Sequence, residues 1–130
     1  MEKYRLLSVS DYQKAIRFLS KEEMDILSTV YNSPMHTISA RDLSSAFGKK
    51  SYQWANSNIA TIGKKISEYT GVSNPDYKKD ICPAGTYEGP AYFMFVGPYF
   101  MCEGKKNKTP NGWEMTDNLC KAIEAQKNSQ

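Results

Sequence analysis

The fold is decided by residues 39–71, which read SARDLSSAFGKKSYQWANSNIATIGKKISEYTG. Ser39 is a favourable N-cap for a short helix, and Gly48 suits the left-handed residue that follows a helix C-terminus. Ser51 then begins the longest helix of the chain, which ends before Gly71. Two helices joined by so short a turn predict a helix-turn-helix.

The long helix has one apolar and one polar face. Its apolar residues recur every three or four positions, which predicts a buried stripe made of Ala55, Ile59, Ile62, Ile66 and Tyr69. The opposite face carries small and polar side chains, which are Ser51, Tyr52, Gln53, Asn56, Ser57 and Thr61. Side chains of these types can form hydrogen bonds with base edges or contact a thymine methyl group.

Two further helices are predicted upstream of this stretch. Ser10 caps a helix over residues 11–19. The Ser20-Lys21-Glu22-Glu23 segment has the form of a capping box, in which the serine and the glutamate each accept a backbone N–H of the other. Asn32-Ser33-Pro34 ends this second helix, because proline cannot continue it. Thr37 and Ile38 then predict a short strand.

The C-terminal half of the chain predicts a hairpin and a closing helix. Aromatic residues over 92–96 and 99–102 favour strands, and Trp113-Glu114-Met115 reads as the returning strand after a polar loop. The fold class is therefore α+β and mainly helical: a single winged helix-turn-helix domain over residues 1–130. Its parts are an N-terminal helix at 1–19, a helix-turn-helix core at 20–71, a wing at 91–115 and a closing helix at 116–127.

Composition excludes several classes of protein. The chain has 130 residues and a formal charge of +3, which fits one globular domain. It shows neither an apolar run long enough to cross a membrane nor a signal peptide, so we expect a cytoplasmic protein encoded by a bacterium or a phage. Its three cysteines, Cys82, Cys102 and Cys120, lack zinc-site spacing and fit reduced thiols.

Lysine is concentrated on the parts of this fold that face DNA. Between Leu43 and Ser67 the chain holds four lysines and no acid, and the wing loop holds three more. They are Lys49, Lys50, Lys64, Lys65, Lys105, Lys106 and Lys108. In a helix-turn-helix the second helix enters the major groove, so these lysines are predicted to contact phosphates. The alternative is that each lysine cluster is ordinary solvent-exposed surface that binds no partner.

Catalytic and metal-binding constellations are weak in this sequence. His36 is the single histidine and lies in a turn, where a structural role is expected. No phosphate-binding loop or dinucleotide motif occurs. We therefore predict no enzyme activity, no metal and no cofactor. A nuclease centre built only from the loop acids ranks last among the hypotheses; these acids are Asp76, Asp80, Glu88 and Glu103.

One segment of the chain resembles a known family. Gly48, Lys50, Ser51, Asn56, Gly63, Lys64, Lys65 and Ile66 follow the pattern of the N-terminal winged-helix domain of McrA-like HNH restriction endonucleases, and the resemblance covers roughly residues 20–125. It implies Lys50, Ser51, Asn56, Lys64 and Lys65 as DNA contacts and a role in restriction of modified DNA. The HNH nuclease segment is absent from the sequence, so the family's catalytic activity is not implied.

Two functions follow as hypotheses. The first is a module that binds double-stranded DNA and senses modified cytosine within a restriction or defence system, with a nuclease domain or defence protein as a further partner. The alternative is a protein-interaction winged helix, such as a phage or mobile-element inhibitor of a nuclease defence system. In that case Trp54, Tyr87 and Tyr99 would anchor the interface.

Overall fold

Five α-helices and a two-stranded antiparallel sheet form the described part of the chain, which in the computed structural model comprises residues 5–73 and 113–128. The elements are α1 (Val9–Ile16), α2 (Lys21–Tyr31), a 3₁₀ turn (Pro34–His36), β1 (Thr37–Ile38), α3 (Ala40–Ala46), α4 (Tyr52–Thr70), β2 (Trp113–Glu114) and α5 (Asp117–Asn128). This architecture agrees with the predicted mainly helical α+β class. The predicted loop and wing segments between residues 74 and 112 lie outside the described residues.

The first helix begins earlier than predicted, because its cap is Ser8 and not Ser10. The Ser8 hydroxyl accepts the Asp11 N–H at 3.1 Å, and the Asp11 carboxylate accepts the Ser8 N–H at 2.9 Å. A carboxylate at this position also interacts favourably with the positive end of the helix dipole, which explains why this capping box prevails. The Arg5 guanidinium donates to the same carboxylate at 2.8 Å.

The helix also ends sooner than predicted, at Ile16 instead of Leu19. The N–H groups of Phe18 and Leu19 bond to carbonyls three residues back, so the chain tightens into a turn. The adjacent Ser20 is the next N-cap, and its hydroxyl accepts the Glu23 N–H at 3.1 Å. Two helices therefore follow each other with almost no linker.

The predicted caps of the other helices are confirmed. Ser20 and Glu23 form the capping box of α2, and Ser39 and Ser51 cap α3 and α4 through their hydroxyls. Gly48 has φ +71°, and so lies in the left-handed region that glycine adopts without strain. At the start of α5 the Thr116 hydroxyl accepts the Leu119 N–H at 3.4 Å and so caps the helix.

The core is built around the apolar face of α4. Ala55, Ile59, Ile62 and Ile66 are all buried, as their spacing predicts. Helices α1 and α3 pack against α4, and α1 also packs against α5. The other elements contribute further buried side chains, which include Tyr12, Ile16, Ile26, Leu27, Val30, Leu43, Trp113, Met115, Leu119 and Ile123. No helix in the described part is long and apolar enough to cross a membrane.

The prediction that Tyr69 belongs to this buried face is wrong. Its side chain is 49% exposed and stacks on Phe18 of the α1–α2 turn, with ring centroids 4.6 Å apart. Beyond Gly71 the chain turns back, and Val72 closes the core at that end. The Ser67 hydroxyl fixes this turn by donating to the Val72 carbonyl at 2.6 Å. Tyr69 is thus displaced to the surface.

The small sheet joins distant parts of the chain. Strands β1 and β2 pair antiparallel, with Thr37 opposite Glu114 and Ile38 opposite Trp113. The Met115 N–H extends the contact by donating to the His36 carbonyl at 2.9 Å. Trp113-Glu114 is therefore a strand, as predicted, and its observed partner is the strand between α2 and α3.

Ser44 fixes the angle between α3 and α4. Its side chain is buried, and its hydroxyl oxygen accepts the N–H of Ala55, in the first turns of α4, at 3.1 Å. Its carbonyl accepts the Lys49 N–H at 2.9 Å, in the turn between the helices. One residue of α3 thus holds both the turn and the start of the long helix.

The Glu23–Lys65 ion pair ties α2 to α4. The Lys65 ammonium lies 2.8 Å from one Glu23 carboxylate oxygen and 2.9 Å from the other. Burial raises the pKa of the Glu23 carboxyl, but hydrogen bonds from Lys65 and from the Ser20 backbone outweigh burial, so the pKa lies below its ordinary value of 4.5.

We expect the Ser44→Ala substitution to lower the free energy of unfolding by about 1–3 kcal/mol, because the Ala55 N–H would be buried without an acceptor. Urea denaturation monitored by circular dichroism measures this change. Ser45→Ala is the matched control, since Ser45 is an exposed neighbour in the same helix. Equal stabilities for the two variants would contradict the role given to Ser44.

We expect Glu23 to contribute stability at neutral pH that disappears in acid. Because its folded-state pKa is lowered, the contribution is complete above the unfolded pKa near 4.5 and is lost as pH falls through the folded value. Unfolding measured from pH 7 to pH ~3 should show a weaker acid dependence for Glu23→Gln than for the wild type. The exposed Glu22→Gln variant should retain the wild-type dependence.

Candidate nucleic-acid interface

The polar face of α4 is exposed along its length. It comprises Ser51, Tyr52, Gln53, Asn56, Ser57, Ala60, Thr61 and Lys64, all of which are exposed. These residues lie on the side of the helix opposite to Ala55, Ile59 and Ile62, which are buried. The fixed apolar face therefore dictates which side chains α4 presents to a partner.

No acidic side chain lies on this face between Ser51 and Lys64. The sequence from Leu43 to Ser67 has none, and Glu68 in the last turn of α4 is the first acid after the stretch. The first turn of α4 has no acid either, so the positive end of the helix dipole is not offset there. The first turn of α4 itself therefore presents no carboxylate that would repel a phosphate.

The four lysines between Leu43 and Ser67 differ in their surroundings. Lys49 and Lys50 are exposed in the turn between α3 and α4, and Lys64 is exposed in the fourth turn of α4. Lys65 is half-buried and paired with Glu23, which raises the pKa of the Lys65 ammonium above its ordinary value of 10.5 through their hydrogen bond. Lys64 and Lys65, which are adjacent and were both predicted to contact DNA, therefore differ in the fold: Lys65 is paired with Glu23 and Lys64 is exposed.

Lys49 rests near an aromatic pair. Trp54 is half-buried and packs on Phe47 with ring centroids 5.1 Å apart, and the Lys49 ammonium lies 5.9 Å from the centre of the Trp54 ring. This contact places the ammonium beside the start of α4. The Trp54 ring is thus half-buried because it packs on Phe47 at the end of α3, and its role as an interface anchor stays a prediction. Sequence spacing gave no signal for this cluster.

The polar side chains of α4 divide into engaged and unengaged groups. The Asn58 amide donates to the Trp54 carbonyl at 2.8 Å, and the Thr61 hydroxyl donates to the Ser57 carbonyl at 2.9 Å. By contrast, the Gln53 and Asn56 side chains make no hydrogen bond with another described residue. Their amide groups are therefore available to a ligand.

Several other predicted residues lie away from this face or outside the described residues. His36 has the expected structural role, since it stacks on Tyr31 and its Nδ1 contacts the Tyr31 carbonyl. Burial, together with the charges of Asp117 and Glu124, raises the pKa of the buried Cys120 thiol to about 11. The residues outside the description are Asp76, Asp80, Cys82, Tyr87, Glu88, Tyr99, Cys102, Glu103, Lys105, Lys106 and Lys108.

The described residues offer no cluster of metal ligands. Within residues 5–73 and 113–128, no three side chains of His, Cys, Asp or Glu lie close enough together to hold a metal ion. The surface that stands out chemically is thus the polar face of α4 with the lysines that flank it.

Comparisons with known proteins leave the chain without an assigned family. No protein-family model, no curated protein and no solved structure matches it. The geometry and charge of the α3–α4 unit are therefore the observations that bear on function.

Proposed function

We propose that the chain is a winged helix-turn-helix module that binds double-stranded DNA, with α4 in the major groove. The observation that carries the proposal is the polar face of α4, which is exposed, free of acids and flanked by Lys50 and Lys64. An α-helix fits the width of the major groove, and residues near the N-terminus of the second helix are those that reach base edges in this class of module.

The order of the elements supports this proposal. Helix α2, strand β1, helices α3 and α4, and then a strand that pairs with β1 follow one another as in a winged helix. Strand β2 is the returning strand at the end of the predicted wing, and it pairs with β1. In a winged helix the wing contacts the phosphates next to the groove, and this is the role proposed for Lys105, Lys106 and Lys108.

Electrostatics supports a nucleic acid over an uncharged ligand. Three exposed lysines, Lys49, Lys50 and Lys64, lie at the two ends of the polar face. From Lys50 to Lys64 the helix rises about 20 Å, so the charges can meet separate phosphates on either side of a groove about 12 Å wide. Each such contact releases counterions and makes affinity depend on salt.

A protein partner is the second candidate, and one observation favours it. Phe18 and Tyr69 form a stacked aromatic pair on the surface, with side chains 60% and 49% exposed. Aromatic side chains are enriched among the residues that dominate protein interfaces. This pair lies at the C-terminal end of α4, away from Gln53 and Asn56, so the two candidate functions use separable surfaces.

Fluorescence anisotropy of labelled duplexes over a salt series tests the proposal. Plain, 5-methylcytosine and 5-hydroxymethylcytosine duplexes separate general binding from the modified-cytosine sensing that the first hypothesis includes. Steep salt dependence on any duplex supports DNA binding. Weak, flat signals on all three at low salt would contradict it and favour the protein partner.

We expect the Lys50→Glu/Lys64→Glu double variant to lose at least about tenfold affinity per lysine at ~0.1 M salt, because each removes a phosphate contact. The same titrations measure this loss. Lys14→Glu/Lys121→Glu is the charge-matched control, since both lysines are exposed and lie on α1 and α5, outside the polar face of α4. A control variant that loses as much affinity as the double variant would show that overall charge, and not this face, drives binding.

We expect Lys64→Ala and Lys65→Ala to behave differently. Lys64→Ala should reduce the slope of log K against log salt by about 0.9, because one phosphate contact is lost. Lys65→Ala should leave the slope unchanged and lower the free energy of unfolding, because Glu23 loses its partner. Equal reductions of the salt slope would refute the distinction.

A further inference from the structure

Two side-chain amides on the polar face of α4 are left without a partner in the described part of the chain. Gln53 and Asn56 lie three residues apart in the first two turns of the helix, and both are exposed. The backbone N–H of Gln53 is already bonded to the Ser51 hydroxyl at 3.1 Å, so the cap engages the main chain and leaves the amide side chain unengaged. Each carboxamide has an oxygen that accepts and an NH2 group that donates. A ligand that offers a donor and an acceptor side by side would therefore satisfy both polar groups of one side chain.

The helix setting singles out these two amides. Asn58 carries the same chemical group, but it is half-buried and donates to the Trp54 carbonyl. The Thr61 hydroxyl is likewise bonded to the carbonyl four residues earlier. Of the amide-bearing residues of α4, Gln53 and Asn56 thus remain to face a partner.

Of the four bases, adenine has the major-groove edge that best matches the carboxamides of Gln53 and Asn56. On the major-groove edge adenine presents the N7 acceptor next to the N6 amino donor, and a single carboxamide can pair with both. Guanine presents two acceptors there and is read by arginine or lysine, whereas α4 has no arginine and its exposed Lys64 lies beyond the N-terminal turns. Cytosine and thymine each offer one polar group on this edge.

We propose that Gln53 and Asn56 read neighbouring A·T base pairs through the major-groove edge of adenine, and that N6-methylation of those adenines weakens binding. This inference rests on the proposed DNA-binding function. Residues three apart differ by about 4.5 Å along a helix, close to the 3.4 Å rise of a base pair, so the two amides fall at neighbouring pairs.

The sensitivity to methylation follows from the bonding of the adenine amino group. One of its two protons pairs with thymine, and the other faces the major groove. In a paired N6-methyladenine the methyl group replaces the groove-facing proton, because the other is required for base pairing. The donor that a carboxamide oxygen needs is then lost, and the methyl group occupies its place.

Selection from duplexes with a randomised central segment first defines the bound sequence. Anisotropy is then measured on duplexes in which each selected adenine is replaced by 7-deazaadenine, which lacks the N7 acceptor, or by N6-methyladenine. The proteins are the wild type, Gln53→Ala, Asn56→Ala and the matched amide control Asn58→Ala. Circular dichroism establishes that each variant is folded.

We expect each modified adenine to weaken wild-type binding by about 5- to 150-fold at the positions that are read. Gln53→Ala should be insensitive to modification at one position and Asn56→Ala at another, while Asn58→Ala keeps the wild-type pattern. The slope of log K against log salt should stay unchanged in all of them, since no phosphate contact is removed.

The outcomes separate this inference from the proposed function. Salt-dependent duplex binding without A·T preference, or equal sensitivity of wild type and both alanine variants, overturns adenine reading and leaves DNA binding intact. Absence of binding to every duplex at low salt overturns both. Tighter binding to N6-methyladenine also contradicts the inference, because it requires a pocket for the methyl group and not a carboxamide contact.

Discussion

Burial of one face of α4 is the constraint on which the rest of the molecule depends. Ile59, Ile62 and Ile66 are 0–1% exposed, and each contributes about 1.5–3 kcal/mol of hydrophobic stabilisation. With these side chains in the core, the helix cannot rotate about its axis without exposing them. The opposite, polar face is therefore held toward solvent in a fixed orientation, which is a requirement for any surface that reads a partner by geometry.

Polar contacts hold α4 in position near both of its ends. At its N-terminal end the Ser44 hydroxyl accepts the Ala55 N–H inside the core, and near its C-terminal end Lys65 pairs with Glu23 of α2. Both contacts involve groups that are costly to leave unpaired when buried. The ion pair with Glu23 gives Lys65 a structural role, whereas the adjacent Lys64 remains exposed.

The distribution of charge on the surface is more informative than the net charge. A net charge of +3 is too small to argue for nucleic acid, yet the exposed cations Lys49, Lys50 and Lys64 lie at the two ends of a helix face that carries no acid between Ser51 and Lys64. The contact of Lys49 with Trp54 extends that surface over the turn between α3 and α4. The proposed DNA contact and the proposed reading of adenine use the same surface in different ways, one through charge and the other through unengaged amides.

Local chemistry was enough to determine much of this protein from its sequence. Capping serines, the glycine at position 48 and the spacing of apolar residues specify α2, α3 and α4, because these signals act within one or two helical turns. The polar face of α4 and its lack of acids could be predicted for the same reason. Tertiary structure alone decided that β2 pairs with β1, that Tyr69 is exposed and that Lys65, but not Lys64, is paired with Glu23. Each of these depends on residues far apart in the chain, whose meeting is set by how the helices pack.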